Sequence, residues 1–233
     1  MLKTLNNMHG YRLRAQDGDL GKVKDFYFDD LVWTIRYLVA DTGAWLTHRQ
    51  VLISPGSLGQ PTPSDRTLGV NLTRQQIENS PPVDADKPVS RRKEEELIRY
   101  YAWQPYWTML DHEPFLSPGM AAARAETAVT TKGDVHLTSA ADVRGYAIHA
   151  EDGDVGTIQD FIVDTELWAI RYAIIKTSGW LHGRLAIIES EWIRGVDWES
   201  RGALVKLSRD QVRRSPAYDP ARPIEAQLAT LGF

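Results

Sequence analysis

Two stretches of this chain repeat one another at a constant separation of 135 residues. Residues 10–55 and 145–190 align without a gap, and 19 of the 46 aligned positions are identical. The identities include Gly10/Gly145, Asp17/Asp152, Gly21/Gly156, Trp33/Trp168, Arg36/Arg171 and others. Identical turn glycines and tryptophans over this length require one shared backbone. The sequence therefore predicts an internal duplication, with similar units from about residue 5 to 89 and from about residue 140 to 224.

Within each unit the signals are those of short β-strands. An Asp-Gly-Asp sequence lies between two apolar, β-branched runs in both units, which is the pattern of a tight hairpin with positive φ at Gly18 and Gly153. Thr73 and Ser208 are expected to cap a short helix after the last strand. Further strands are predicted at 50–54, 68–72, 185–189 and 203–207. These signals predict a mainly β chain of two tandem small antiparallel β-barrels.

The motifs also carry a family resemblance. Gly-Tyr, Asp-Gly-Asp-x-Gly, Asp-Phe, Trp, Ile-Arg-Tyr and Trp-Leu follow one another in both units. This order resembles the PRC-barrel domain, the small barrel of the photosynthetic reaction centre H subunit and of ribosome maturation factors. The resemblance implies binding or assembly modules, since none of the motifs is catalytic. The membrane-spanning helix of the first protein and the separate N-terminal domain of the second have no counterpart in this sequence.

Residues 90–139 have no partner in the repeat. Ser90 is expected to cap a helix that ends near Trp103, carries Leu97, Ile98 and Tyr101 on one side and has Glu94 to Glu96 facing water. The expected organisation is a first PRC-barrel-like domain, a helical aromatic-rich insert with linker, and a second PRC-barrel-like domain, at 1–89, 90–139 and 140–233.

Aromatic residues of the insert form the candidate partner-binding surface, because exposed aromatic side chains mark interaction sites. The alternative is that they pack on the chain's own barrels, as most large aromatic side chains do. The candidates are Tyr100, Tyr101, Trp103, Tyr106 and Trp107.

Two charged positions recur inside apolar runs of both units. They are Asp25 and Arg36 in the first unit, and Asp160 and Arg171 in the second. Because the runs pair across a short turn, we expect each Asp and Arg to form a structural ion pair across the strands. The alternative is that the arginine anchors an anion.

Composition excludes several functional classes. The chain has 27 Lys and Arg against 31 Asp and Glu, a net charge of -4, and carries no basic run that would indicate nucleic-acid binding. The absence of cysteine excludes disulfides, thiolate metal sites and thiol nucleophiles. The six histidines show no metal-ligand spacing, and the Asp-Gly-Asp turns lack the further acidic ligands of an EF-hand. No catalytic residue, metal or cofactor is therefore expected.

The N-terminal sequence indicates the compartment. Residues 1–20 lack the apolar core of a signal peptide, and no run of about 20 apolar residues occurs. The sequence therefore predicts a cytoplasmic protein with no membrane-spanning segment.

These observations favour a non-enzymatic binding or assembly adaptor that engages a protein partner or the cytoplasmic face of a membrane complex. Two similar barrels in one chain can mimic a homodimer, and the sequence is also compatible with a homo-oligomer of this chain. The first alternative is a small-molecule binder or enzyme with a site between the barrels, using His48, Arg49, His182 and Arg184. The second, a photosynthetic electron-transfer accessory, depends on family analogy alone.

Overall fold

A computed structural model of the chain describes residues 1–83, 89–108, 137–178, 183–197 and 199–229. The chain divides into two compact units. The first unit is Met8–Thr138, and the second unit is Ser139–Phe233 together with Met1–Asn7. This division differs from the expected domains, because the insert belongs to the first unit and the first seven residues belong to the second.

Strands are the main elements, as the sequence predicts. The strands are β1 (Leu2–Thr4), β2 (Arg12–Ala15), β3 (Gly18–Asp29), β4 (Thr34–Asp41), β5 (Gln50–Ile53), β6 (Leu58–Thr62), β7 (Thr67–Val70), β8 (Leu137–Ser139), β9 (Ala147–Ala150), β10 (Gly153–Asp164), β11 (Ala169–Thr177), β12 (Leu185–Glu189), β13 (Ile193–Asp197) and β14 (Gly202–Val205). The helices are α1 (Leu5–Met8), α2 (Arg74–Glu78), α3 (Arg91–Tyr101), α4 (Ala140–Val143), α5 (Arg209–Arg214) and α6 (Ile224–Leu228). Every element from β1 to α2 has a counterpart, from β8 to α5, that begins 135 residues later.

The strands are joined in the same order in both units. The order is β5-β4-β3-β2-β7-β6 in the first unit, with β8 beside β3. It is β12-β11-β10-β9-β14-β13 in the second unit, with β1 beside β10. The expected all-antiparallel barrels need correction, because β2 with β7 and β9 with β14 pair in parallel. A chain that returns to β2 through several intervening strands does not have to alternate in direction. Among the described strands each order is an open path, so the sheet is mixed and not closed.

The local predictions are largely confirmed. Gly18 and Gly153 have φ of 148° and 132° at the β2–β3 and β9–β10 hairpins. Thr73 and Ser208 each cap their helix with a capping box, in which side chain and backbone bond reciprocally. Strands β6 and β13 are absent from the sequence prediction, because Gly and Pro within them are poor strand formers.

The same face of the sheet is covered in both units by the segment that follows the repeat. In the first unit α3 packs there through Leu97, beside Val89, and in the second unit Ile224 of α6 occupies the place of Val89. The helix after the second repeat is a finding, since the sequence prediction ends that repeat without one. The two core clusters are Tyr27, Tyr37, Val39, Leu52, Val89 and Leu97, and Ile162, Ile174, Ile187 and Ile224.

The helices of the described segments are short or polar. None of them is long and apolar enough to cross a membrane.

Gly21 lies where β3 and β4 come closest, and a substitution there tests the shared strand geometry. A Cβ at Gly21 would lie 2.0 Å from the carbonyl oxygen of Asp41, at a φ of 140°. We expect Gly21→Ala to lower the free energy of unfolding by roughly 2 kcal/mol or more, because backbone strain and overpacking add. Urea denaturation measures the change. The matched control is Gly69→Ala, where nothing lies within 4 Å of the added methyl; equal stability losses in both variants would contradict the geometry.

Candidate functional site

A β-bulge places the arginine that recurs in both units. Tyr37 and Ile35 lie opposite Tyr27 and Phe28, which leaves Arg36 as the extra residue of β4. In the second unit β11 has the same irregularity, at the position of Arg171. A bulge turns the side chain of the extra residue away from the regular alternation.

Each of these arginines contacts the acidic residue at the end of the preceding strand. Arg36 Nη2 lies 3.1 Å from Asp29 Oδ2, and both side chains are buried at 5% and 2% exposure. Arg171 Nη2 lies 3.9 Å from Asp164 Oδ2, with 36% and 20% of the side chains exposed. The ion pair is therefore short and buried in the first unit, and longer and partly exposed to solvent in the second.

The sequence predicts Asp25 and Asp160 as the partners of these arginines. Asp160 lies opposite Ile174, three positions along β11 from Arg171, and its carboxylate accepts hydrogen bonds from the backbone N–H groups of Asn6 and Phe161. Whether Arg171 also pairs with Asp160 stays a prediction. In the first unit Asp25 likewise lies opposite Val39, and the structure shows an ion pair of Arg36 with Asp29. The bulges place the acidic residue before the turn, Asp29 or Asp164, near the arginine.

Glu94 is the centre of a polar cluster between α3 and β4. It is 1% exposed, although the sequence reading places Glu94 to Glu96 in water. The Tyr106 hydroxyl donates to Glu94 Oε1 at 2.9 Å, the Tyr37 hydroxyl also bonds to this carboxylate, and Arg91 Nη1 lies 3.3 Å from Oε2. Burial raises the pKa of Glu94, and Arg91 and the two hydroxyls oppose that rise. These donors offset the free-energy cost of burying the carboxylate.

Two aromatic rings that follow α3 in the insert, Tyr106 and Trp107, lie over the guanidinium groups of Arg36 and Arg91. The Arg36 guanidinium lies 4.2 Å from the centre of the Tyr106 ring, and that of Arg91 lies 3.8 Å from the centre of the Trp107 ring. Such cation–π contacts contribute about 0.5 to 2 kcal/mol each, more where water is excluded. The contact of Arg36 with Tyr106 ties the insert to the bulge of β4.

The other candidate aromatics also contact the first unit. Tyr101 and Trp103 stack at 4.3 Å between ring centres, and Trp103 Nε1 donates to Ser57 Oγ at 2.9 Å. The Tyr100 hydroxyl donates to the carbonyl of Gln76, and its side chain is exposed. The other four candidates are half-buried. This packing is the alternative that the sequence left open, and whether a partner also binds here stays a prediction.

Two of the four side chains proposed for a site between the barrels donate hydrogen bonds to backbone carbonyl groups. Arg49 donates to the carbonyls of Glu78 and Ser80, and Arg184 to those of Arg213 and Ser215, so both bind the carbonyl end of a short helix. His48 is exposed, and His182 lies outside the described residues. The described parts of the chain contain no group of three or more His, Asp or Glu side chains placed to hold a metal ion.

An exposed apolar patch on the second unit is absent from the sequence prediction. Trp192 is 39% exposed and Leu204 is 55% exposed. Trp192 ends the 3-10 turn before β13, and Lys206 N donates to its carbonyl at 2.7 Å. Trp192 therefore lies opposite Lys206, two positions from Leu204 along β14. We call these two residues the Trp–Leu patch. The aligned residues of the first unit are Ser57 and Gly69, and this difference is the signal that could have revealed it.

Comparison with known proteins adds no identity. No protein-family model matches the chain, and no curated protein matches its sequence.

Leu97 tests the docking of the insert. It is buried in the cluster with Val39 and Leu52, so Leu97→Ala should lower the free energy of unfolding by about 2 to 5 kcal/mol. It should also speed proteolysis within α3. Urea denaturation and limited proteolysis measure these effects. Arg92→Ala, at a side chain 91% exposed, is the control and should leave both nearly unchanged. A Leu97→Ala protein as stable as the parent would contradict the packing.

Asp160 should make stability depend on pH. Burial raises its pKa to about 6 from an ordinary value near 3.8. Folding therefore favours the protonated form, so this contribution is complete below pH 3.8 and is lost as pH rises through about 6, by roughly 2 to 3 kcal/mol. Asp160→Asn should flatten the curve of unfolding free energy between pH 4 and 7. Glu94 acts with the same sign in both proteins and cancels in the difference.

The control for this titration is Asp19→Asn, because the Asp19 side chain is 75% exposed. The curve of Asp19→Asn should follow that of the parent. If Asp160→Asn also follows the parent across this pH range, the carboxyl of Asp160 does not titrate as its burial requires.

Proposed function

We propose that this chain is a non-enzymatic adaptor of two PRC-barrel-like modules that arose by duplication, and that a protein partner docks on the Trp–Leu patch of the second unit. The equal strand order and the matching register of the two units support the duplication. The exposed Trp–Leu patch is the observation that carries the binding role.

Exposure of these side chains needs an explanation. Single exposed apolar residues are ordinary, but Trp192 lies opposite Lys206, only two positions from Leu204 along β14, and tryptophan is among the residues most enriched at binding hot spots. Leu204 lies on strand β14 and Trp192 on the 3-10 turn that leads into β13, so ordered backbone presents both side chains and less conformational freedom is lost when a partner binds.

The two units have diverged at this place. In the first unit the hydroxyl of Ser57 accepts a hydrogen bond from Trp103 of the insert, and Ser57 is buried. In the second unit the aligned Trp192 projects into solvent. In the first unit Trp103 of the insert thus covers the position of Ser57. At the aligned position the second unit presents the exposed side chain of Trp192. A duplicated module whose copies specialise is expected to differ in this way.

The surroundings of the patch suit a protein surface. Glu191, Arg194 and Lys206 are exposed beside Trp192 and Leu204. An apolar centre with charged neighbours of both signs is the usual arrangement of a protein–protein interface. The partner surface should therefore be apolar at its centre and carry charges of both signs around it.

Affinity purification from the native cell tests the adaptor role. The parent chain should retain a partner that a Trp192→Ser/Leu204→Ser chain loses, and the purified pair should bind at least tenfold more weakly with this variant, since hot-spot truncations cost about 1 to 2 kcal/mol or more. Calorimetry with purified partner measures the affinity. Both side chains are exposed, so the variant should melt like the parent.

Tyr100→Ser is the matched control, because Tyr100 is an exposed aromatic residue on the first unit. It should retain the partner. If Tyr100→Ser loses the partner and the patch variant keeps it, the binding surface lies on the insert. Equal capture by all three chains, or none by the parent, would contradict the proposed function.

A further inference from the structure

The first seven residues of the chain fold with the second repeat. Leu2, Lys3 and Thr4 pair with Asp164, Val163 and Ile162 along the edge of β10. The chain enters the first unit only at Met8. The element that precedes the first repeat thus completes the sheet of the second unit.

The counterpart element shows the same arrangement. Strand β8 begins 135 residues after β1 and precedes the second repeat, yet it pairs with β3 of the first unit. Each repeat therefore supplies its leading strand to the long strand of the other repeat. The exchange of leading strands is therefore a property of both repeats.

The edge of β10 holds its strand as a receptor holds an extended peptide. Asp160 Oδ1 accepts from Asn6 N at 3.2 Å, Thr165 N donates to the Met1 carbonyl at 2.9 Å, and Leu2 N donates to Glu225 Oε1 at 3.2 Å. Leu2 packs against the core cluster of this unit, and Thr4 and Leu5 are buried. Backbone pairing combined with pockets for alternate side chains is the mode of β-strand addition.

We propose that the edge of β10 is a strand-acceptor site that takes residues 2–6 of a second copy of this chain, so that copies assemble by exchanging their leading strands. Donor and acceptor are present in every copy, and exchange re-forms the same contacts, so only the connection near Asn7 and Met8 must change conformation. The strand of the same chain competes at an effective concentration on the order of millimolar, so exchange should require high concentration or refolding. This assembly leaves the Trp–Leu patch untouched and does not depend on the proposed function.

Cysteine trapping tests the exchange, because the chain has no cysteine of its own. Leu2 and Asp164 face each other in the β1–β10 register, at a spacing that a disulfide can bridge. One copy carries Leu2→Cys and a mass tag, and the other carries Asp164→Cys. The two are unfolded, refolded together at rising concentration and oxidised with oxidised glutathione. We expect a disulfide-linked pair of unlike copies whose yield increases with concentration.

Two controls make the result decisive. A single chain with both substitutions should close the disulfide internally, which shows that the strand lies in its groove. Arg92→Cys, at an exposed side chain, mixed with Asp164→Cys measures collisional linkage. The proposal is overturned if the double variant closes internally while the mixed copies link no more than the Arg92→Cys control at any concentration.

Light scattering after chromatography gives an independent readout if the double variant fails to close. The unmodified chain, refolded at the same concentrations, should form a dimer, and Leu2→Asp should abolish it because a charge cannot enter the apolar cluster. A chain that stays monomeric throughout, or a dimer unaffected by Leu2→Asp, would equally overturn the proposal.

Discussion

The buried carboxylate of Glu94 is the interaction on which the first unit depends. A carboxylate at 1% exposure is tolerated only because two tyrosine hydroxyls and the Arg91 guanidinium satisfy it. Tyr37 belongs to the strand, whereas Arg91 and Tyr106 belong to the insert. This single group therefore favours one orientation of the insert on the sheet, and removal of any donor weakens the compensation of a buried carboxylate.

The same sheet face is built differently in the second unit, and that difference makes the two units unequal. Ile224 occupies the place of Val89, and the pair of Arg171 and Asp164 is partly open to water. The β13–β14 face of this unit presents Trp192 and Leu204, where the first unit has Ser57 and Gly69. Similar backbones thus present different surfaces in the two units.

Much of the local structure could be predicted because it depends on neighbours in sequence. The hairpin glycines, the capping residues Thr73 and Ser208, and the start of α3 after Ser90 follow from turn and capping chemistry. The partners of Arg36 and Arg171 could not be predicted, because a bulge shifts the register by one residue and a one-residue shift changes which side chains face each other. The burial of Glu94 was missed for a related reason, since its donor Tyr37 lies far away in sequence.

The sequence by itself determined that one backbone occurs twice, where the hairpin strands lie, and that the capped helices α2 and α5 follow the last strands, since these depend on local φ preferences and on the alternation of apolar residues. Only the tertiary structure decided that β2 and β7 run parallel, that residues 1–7 join the second unit, and that Trp192 and Leu204 are exposed. These features depend on hydrogen bonds and contacts between residues distant in the chain. A pattern of neighbouring residues does not record such pairings, because many partners satisfy the same backbone groups equally well.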